Sequence, residues 1–273
     1  MGRPTPVTHG TLVRQANAAG LSFTETVHAA GSRLPPHAHD RAALTLFLSG
    51  AGIEAFDDVE VDCRPFTVLF KPAGRVHRNV YGPAPTRSFI LEFDEPDAVR
   101  EIVTRVGGAA AARALALYHA CLAGDATLPL DADELLCDLL QSPATTARCG
   151  DRAAPWLRRV RDRLASSLPG PIPRLAHLAD EAGVHPIYLA RAFRRQYGTS
   201  LGKFARRARL DRAVNAILCG REPLSHVAAR FGYADQSHLT RELVRRSAWS
   251  PARLRRAAVR IVQDSHSLAG KVS

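Results

Sequence analysis

The chain is poor in sulfur and in large aromatics: five Cys, one Met and two Trp in 273 residues. The cysteines, Cys63, Cys121, Cys137, Cys149 and Cys219, are odd in number and none stands in a C-x-x-C pair. That argues against a disulfide framework and a zinc knuckle, and it fits a reducing cytosol. No run approaches the roughly 18 apolar residues of a membrane span. The opening "MGRPTPVTHGTLVRQ" lacks the apolar stretch a secretory signal needs, so no membrane attachment is expected. Catalytic signatures are missing too. No triad, P-loop or dinucleotide fingerprint stands out, and "GRVHR" and "GGAAAA" do not sit in the strand-to-helix context that a phosphate loop requires.

Acidic residues are scarce in the back half. From residue 151 onward there are 24 Lys+Arg against 9 Asp+Glu, a net of +15, while residues 1–150 carry a net of −4. So lopsided a chain points to a polyanionic partner for its C-terminal half. A length of 273 residues accommodates two domains.

From residue 21 to about 95 the pattern is that of short strands. "LTLFLSG", "IEAFDDVEVD" with a turn at Asp57-Asp58, "FTVLFKPAG" and "RSFILEF" are separated by Gly and Pro, as in an antiparallel barrel or sandwich. After Asp94 the periodicity becomes helical. "EPDAVREIVTRVGGAAAARALALYHACLAG" and "LDADELLCDLLQS" read as amphipathic helices, the second with Leu135, Leu136, Leu139 and Leu140 on one side. Their apolar faces must pack on the barrel or on a second copy of the chain. The division expected is a barrel over 1–95, a helical dimerisation segment over 96–142, a linker over 143–155, a helical domain over 156–257 and a tail over 258–273 whose end, "DSHSLAGKVS", is disordered.

Within the helical domain one unit occurs twice. "LAHLADEAGVHPIYLARAFRRQYGTSLGKF" starts at Leu175 and "LSHVAARFGYADQSHLTRELVRRSAWSPARL" at Leu224. Ala179 and Ala228 are 49 apart, as are Gly183 and Gly232; Leu189 and Leu239, like Arg191 and Arg241, are 50 apart. Each unit reads as a short helix ending at Gly, a turn, and a second helix opened by Pro186 or by Asp235. Leu189 and Phe193, then Leu239 and Leu243, lie four apart and face a core. The opposite faces present Ile187, Ala190, Arg191 and Arg194 in one unit, and Gln236, Ser237, Thr240 and Arg241 in the other. These types suit a major groove: Arg bonds guanine O6 and N7, Gln bonds adenine N6 and N7, and Ile or Ala touches the thymine methyl. Arg195, Arg206, Arg207, Arg245 and Arg246 suit phosphate contacts.

On these residues the chain resembles the AraC/XylS family of bacterial transcription regulators over about 156–257. The resemblance implies two helix-turn-helix units joined by a long helix, about Leu201–Leu218, with an opening helix over 156–168. It places base-facing positions at Ile187, Ala190, Arg191, Gln236, Ser237, Thr240 and Arg241. The chain departs from the family pattern at His185, where a Ser-like cap is usual. It departs again at Leu239 and Leu243 (usually Phe), Ala248 (usually Gly) and Leu254 (usually Tyr or Phe).

In the front half, "LPPHAHDRAALTLFLSGAG" and "FTVLFKPAGRVHRN" resemble the two cupin motifs, with His37, His39 and His77 as candidate metal ligands or effector-pocket residues. The carboxylate that follows the second His in metal-binding cupins is replaced by Ala42 and Ala43. The resulting expectation is an α+β chain: a cupin-like β-barrel with following helices, then an all-α domain of two helix-turn-helix units. Its function would be that of a non-enzymatic regulator in the cytoplasm, at the nucleoid, with no cofactor. Its expected partners are double-stranded promoter DNA, a small-molecule effector, a second copy of the chain and, for an activator, RNA polymerase. The alternatives are a metal-dependent cupin oxygenase fused to a DNA-binding domain, and a constitutive regulator whose barrel only dimerises.

Overall fold

The computed structural model describes residues 10–18, 20–94, 103–124, 153–167 and 170–269. Among the described residues, ten strands precede the helices: β1 Thr11–Ala18, β2 Leu21–His28, β3 Arg33–His37, β4 Ala42–Ser49, β5 Gly52–Ala55, β6 Glu60–Cys63, β7 Thr67–Lys71, β8 His77–Tyr81, β9 Thr86–Phe93 and β10 Val103–Val106. They form two antiparallel sheets, ordered β1-β2-β9-β4-β7-β10 and β3-β8-β5-β6. The turn expected at Asp57-Asp58 is the hairpin between β5 and β6, with Ala55 opposite Glu60. Strand β10, which pairs with β7 from Val103 opposite Phe70 to Val106 opposite Thr67, lies inside the segment expected to be wholly helical. "VTRV" alternates two branched apolar residues with polar ones, and four residues are too few for a helical period to show.

Along the six-stranded sheet the period of two assigns Phe23, Leu44, Leu46, Leu48, Val68, Phe70, Phe89 and Leu91 to the outer face. Helix α1, Gly108–Ala123, covers that face with Ala111, Ala112, Ala114, Leu115 and Tyr118. The expected second amphipathic helix, with Leu135 to Leu140, and nearly all of the linker lie outside the described residues.

The C-terminal helices are α2 Pro155–Ser166, α3 Leu175–Ala182, α4 Pro186–Tyr197, α5 Leu201–Cys219, α6 Leu224–Arg230, α7 Gln236–Ser247 and α8 Pro251–Ala269. The opening helix and the long connecting helix fall where expected, to within two residues. The tail does not: α8 runs to Ala269, and Ala258 and Ile261 are buried in the core. Ala257, Ala258 and Ile261 continue the stripe begun by Leu254, so the apolar period carries the helix on.

The C-terminal helices divide between two cores. Leu157, Val160 and Leu164 of α2 pack with Leu178, Ala179, Leu189, Phe193, Phe204 and Ala205 around the first unit. Val227, Ala228, Leu239, Leu243, Trp249, Leu254 and Ile261 of the second unit join the C-terminal half of α5, α1 and the outer face of the barrel in one continuous core. The second unit is thus seated on the sensor half, and the first is carried by α5.

Local caps explain where the helices start. Nδ1 of His185 accepts from the Ile187 N–H at 3.3 Å, so the imidazole does the work of the Ser-like cap. Asp235 Oδ1 accepts from the His238 N–H at 2.6 Å. Gly183 and Gly232 take φ of 64° and 70°, which permits the tight reversal into each second helix. Ala248 caps α7 in the same left-handed region, at φ 57°, without glycine's freedom. Replacement Ala248→Gly is expected to stabilise the domain by about 1 kcal/mol, read as a higher denaturation midpoint with unchanged slope.

Candidate nucleic-acid interface and barrel interior

In each unit the second helix turns its apolar side inward. Leu189, Phe193, Leu239 and Leu243 have no exposed surface. What remains outside is the predicted reading face. On α4, Ile187 is 57% exposed, Arg191, Arg194 and Arg195 are exposed, and Ala190 is half-buried. On α7, Gln236, Ser237 and Arg241 are exposed. Three predicted positions have other ties. Thr240 Oγ1 donates to the Gln236 carbonyl at 2.8 Å, Arg245 pairs with Glu242 at 2.8 Å, and Arg207 on α5 is half-buried beside the exposed Arg206. Residue-by-residue reading passed over Tyr188, which is 52% exposed on α4 with its ring 6.0 Å from that of Trp156. It also passed over Arg209, whose guanidinium donates from α5 to the Gly232 carbonyl and fastens the second turn. An exposed tyrosine inside a predicted reading helix was a usable signal; the reach of Arg209 across helices was not.

The barrel interior is polar. His37 and His77 are cross-strand partners on β3 and β8, and the ring of His39, in the loop after β3, stacks on that of His77 at 5.3 Å. One ring nitrogen from each of the three lies within 4.8 Å of the others. Nδ1 is anchored in every ring: to the Pro35 carbonyl at 2.9 Å in His37, to Glu92 Oε1 at 3.2 Å in His39 and to the Arg75 carbonyl at 3.1 Å in His77. A carbonyl only accepts, so Nδ1 carries the hydrogen in His37 and His77, and Nε2 keeps its lone pair.

The missing carboxylate is supplied from elsewhere in the chain. Register places Glu92 of β9 and Lys71 of β7 on either side of Ala43, the small residue where the cupin motif would carry its acid. Glu54 of β5 approaches from the facing sheet. Lys71 Nζ donates to Glu54 Oε1 at 2.7 Å and to His77 Nε2 at 3.4 Å, all three groups being buried. Burial pushes the Glu54 carboxyl up, but Lys71 and His77 outweigh it and hold it below the usual carboxylate range. Burial, then the Lys71 charge, pulls His77 down to about 3.

These assignments set a pH dependence. His77 stays neutral in the fold, whereas the unfolded chain takes up the proton near its ordinary 6.5. Stability from this group is therefore complete above that pH and declines as the pH falls toward 3; Glu54 adds a loss below 4.5. The melting temperature should fall between about pH 7.5 and about pH 5, and His77→Gln should flatten that fall. A slope identical in both proteins would assign the effect elsewhere.

The three rings suit a metal as donors, but the charge beside them does not. The Lys71 ammonium stands 3.4 Å from His77 Nε2, where a cation would bind, and it already neutralises Glu54. As placed, the residues do not fit a resident metal centre. The interior cavity they line, with His28, Thr45, Asn79 and Tyr81, measures about 40 Å³, which is room for about three waters.

Comparison with known proteins agrees with this layout. Residues 178–257 match the family described as a helix-turn-helix domain, and residues 20–147 match the AraC-like ligand binding domain. The chain belongs to the AraC family. Its similarity to the multiple antibiotic resistance protein MarA of Escherichia coli strain K12 is 26% identity over 85 residues, 31% of this chain and 66% of that relative. The matched stretch thus spans just under two thirds of the relative's length. Among solved structures, the C-terminal domain of AraT from Geobacillus stearothermophilus is 26% identical and covers 38% of this chain and 87% of its own, at a TM-score of 0.35. ToxT from Vibrio cholerae O395 is 9% identical and covers 88% of this chain and 98% of its own, at a TM-score of 0.38. Among the described residues of this AraC-family chain, no helix is long and apolar enough to cross a membrane.

Proposed function

We infer that the chain is a sequence-specific transcription regulator whose two reading helices, α4 and α7, enter successive major-groove segments of promoter DNA, and whose sensor half responds to a small molecule. The observation that carries this is the duplicated unit with unlike solvent-facing residues: Ile187, Ala190 and Arg191 on one helix, Gln236, Ser237 and Arg241 on the other. Unlike faces require an asymmetric half-site, with the two segments roughly 34 Å apart, one turn of duplex. The net charge of +15 beyond residue 150 supplies the non-specific attraction. The chain works in the cytoplasm, at the nucleoid, as a homodimer whose paired sites are bound or released as the sensor half changes state. An activator of this design also touches RNA polymerase.

The three histidine rings of the barrel could serve as metal donors, but the charges beside them oppose the oxygenase reading. The buried ammonium of Lys71 competes with any metal, and Glu54 is committed to it. The decisive experiment is footprinting of genomic fragments at about 0.1 M salt. Protection of two adjacent major-groove segments on one face of the duplex is expected. The absence of any protected promoter would sink the reading, and stoichiometric iron or zinc in the purified protein would reopen the enzymatic one.

A further inference from the structure

Among the described residues, the cavity inside the barrel is too small for an effector, and a roomier one lies outside it. On the outer face of the six-stranded sheet, between β1, β2, β9 and the C-terminal half of α1, lies a cavity of about 340 Å³. That is within the size range of small-molecule sites, whereas about 40 Å³ is far below it. Among the described residues its walls are mainly Phe23, Phe89, Tyr118, Leu122 and Ala16, with Glu25 and Arg14 as its charged groups.

The charges indicate what it would take. Glu25 is buried and fully engaged: Oε1 accepts from Arg87 Nε at 2.5 Å, and Oε2 accepts from the Tyr118 hydroxyl at 3.1 Å. Arg87 also donates to Tyr118 at 2.8 Å, so the buried acid is already matched by a buried base. Arg14, with its side chain 61% exposed and its Nε 3.7 Å from Glu25 Oε2, is the surplus positive charge on the cavity. Among the described residues two guanidinium groups, Arg14 and Arg87, thus share one carboxylate, and an apolar chamber with that net positive charge favours an apolar body bearing a single anionic head.

The opposite side of α1 is fastened to the DNA-binding half. Asn215 and Asp211 of α5 accept from the N–H groups of Gly108 and Ala109 at the start of α1, the latter at 2.9 Å. The approach is so close that a Cβ on Gly107 or Gly108 would collide with those two side chains. Arg113 Nε donates to the Arg246 carbonyl at the end of α7, and the His119 ring lies 5.3 Å from that of Trp249. Tyr118, in the cavity wall, and His119, against the second helix-turn-helix unit, are neighbours in sequence.

We propose that this outer-face cavity is the effector site, that it binds an apolar monoanion with its head at Arg14, and that α1 transmits occupancy to the reading helix α7. The proposal rests on the regulator reading above. Linkage requires the ligand to prefer one placement of α1 over another, and a helix walled by the ligand on one side and latched to α5 and α7 on the other meets that condition.

The test uses the full chain with 4-biphenylcarboxylate as the probe and neutral 4-biphenylmethanol as its partner, titrated by calorimetry. Saturable one-to-one binding of the acid is expected, at least about tenfold tighter than of the alcohol. Arg14→Ala should erase most of that preference and Arg14→Lys restore part of it. Ala16→Trp and Leu122→Trp, which fill the chamber from exposed positions on its two sides, should abolish binding. Thr45→Val inside the barrel should leave it unchanged. No saturable binding, equal binding of acid and alcohol, or loss only in the Thr45 variant would overturn the proposal. Footprinting the same proteins separates the two readings: intact protection with failed titrations counts against the cavity alone, while lost protection in the unsubstituted chain counts against the regulator itself.

Discussion

Replacing Glu54 by alanine is expected to cost the barrel about 3–5 kcal/mol, because it leaves the Lys71 ammonium buried with His77 as its one remaining partner among those described. Set against a total stability of roughly 5–15 kcal/mol, that loss brings the sensor half close to unfolding at moderate temperature. The double replacement Glu54→Leu with Lys71→Met removes both charges and should recover most of the loss, since two apolar chains of similar volume need no solvation. Urea unfolding followed by far-ultraviolet circular dichroism measures both, and the double-mutant cycle isolates the pair. Should Glu54→Ala cost less than about 1 kcal/mol, Lys71 reaches water and the interior is wetter than its geometry indicates.

Arg241→Ala should weaken specific sites by about 1–3 kcal/mol, roughly five- to 150-fold, while leaving binding to unrelated duplex nearly unchanged. Arg241 is exposed on α7, one helical turn beyond Ser237, with a full guanidinium fork to offer a guanine edge. Arg206→Ala should behave differently. Exposed on the connecting helix α5 and outside both second helices, it should weaken every sequence alike and reduce the salt slope by about one. Binding measured on a selected site and on a scrambled one, across a range of salt, tells the two roles apart. Equal losses on both duplexes for both proteins would reverse the assignment of Arg241 to base reading.

The duplicated units were legible in the sequence because everything that defines them is local. A helix of twelve residues, a glycine at its turn and a pair of large apolar residues four apart all recur at a spacing of 49 or 50, and no distant contact is needed to see them. The same holds for the β5–β6 hairpin. Strand β10 and the extension of α8 were missed for a related reason. Four residues are too short to show a period, and "DSHSLAG" is polar enough to resemble a tail. The interior ion pair had a weaker signal: a Glu and a Lys on the inward step of otherwise apolar strands. Fifty-three residues separate His39 from Glu92, and seventeen separate Glu54 from Lys71, so no window holds either pair.

By itself the sequence determined the order of the parts, the solvent-facing sides of α4 and α7 and the three histidines that meet in the barrel. Those follow from periodicity and from the few residues able to cap or turn a chain. Only the tertiary structure decided that the Lys71 ammonium stands beside His77 in the histidine cluster, that a roomy cavity lies on the outer face of the sheet, and that the second unit shares its core with the sensor half. Each of these depends on which surfaces close against each other, and burial is a property of that closure rather than of any stretch of residues.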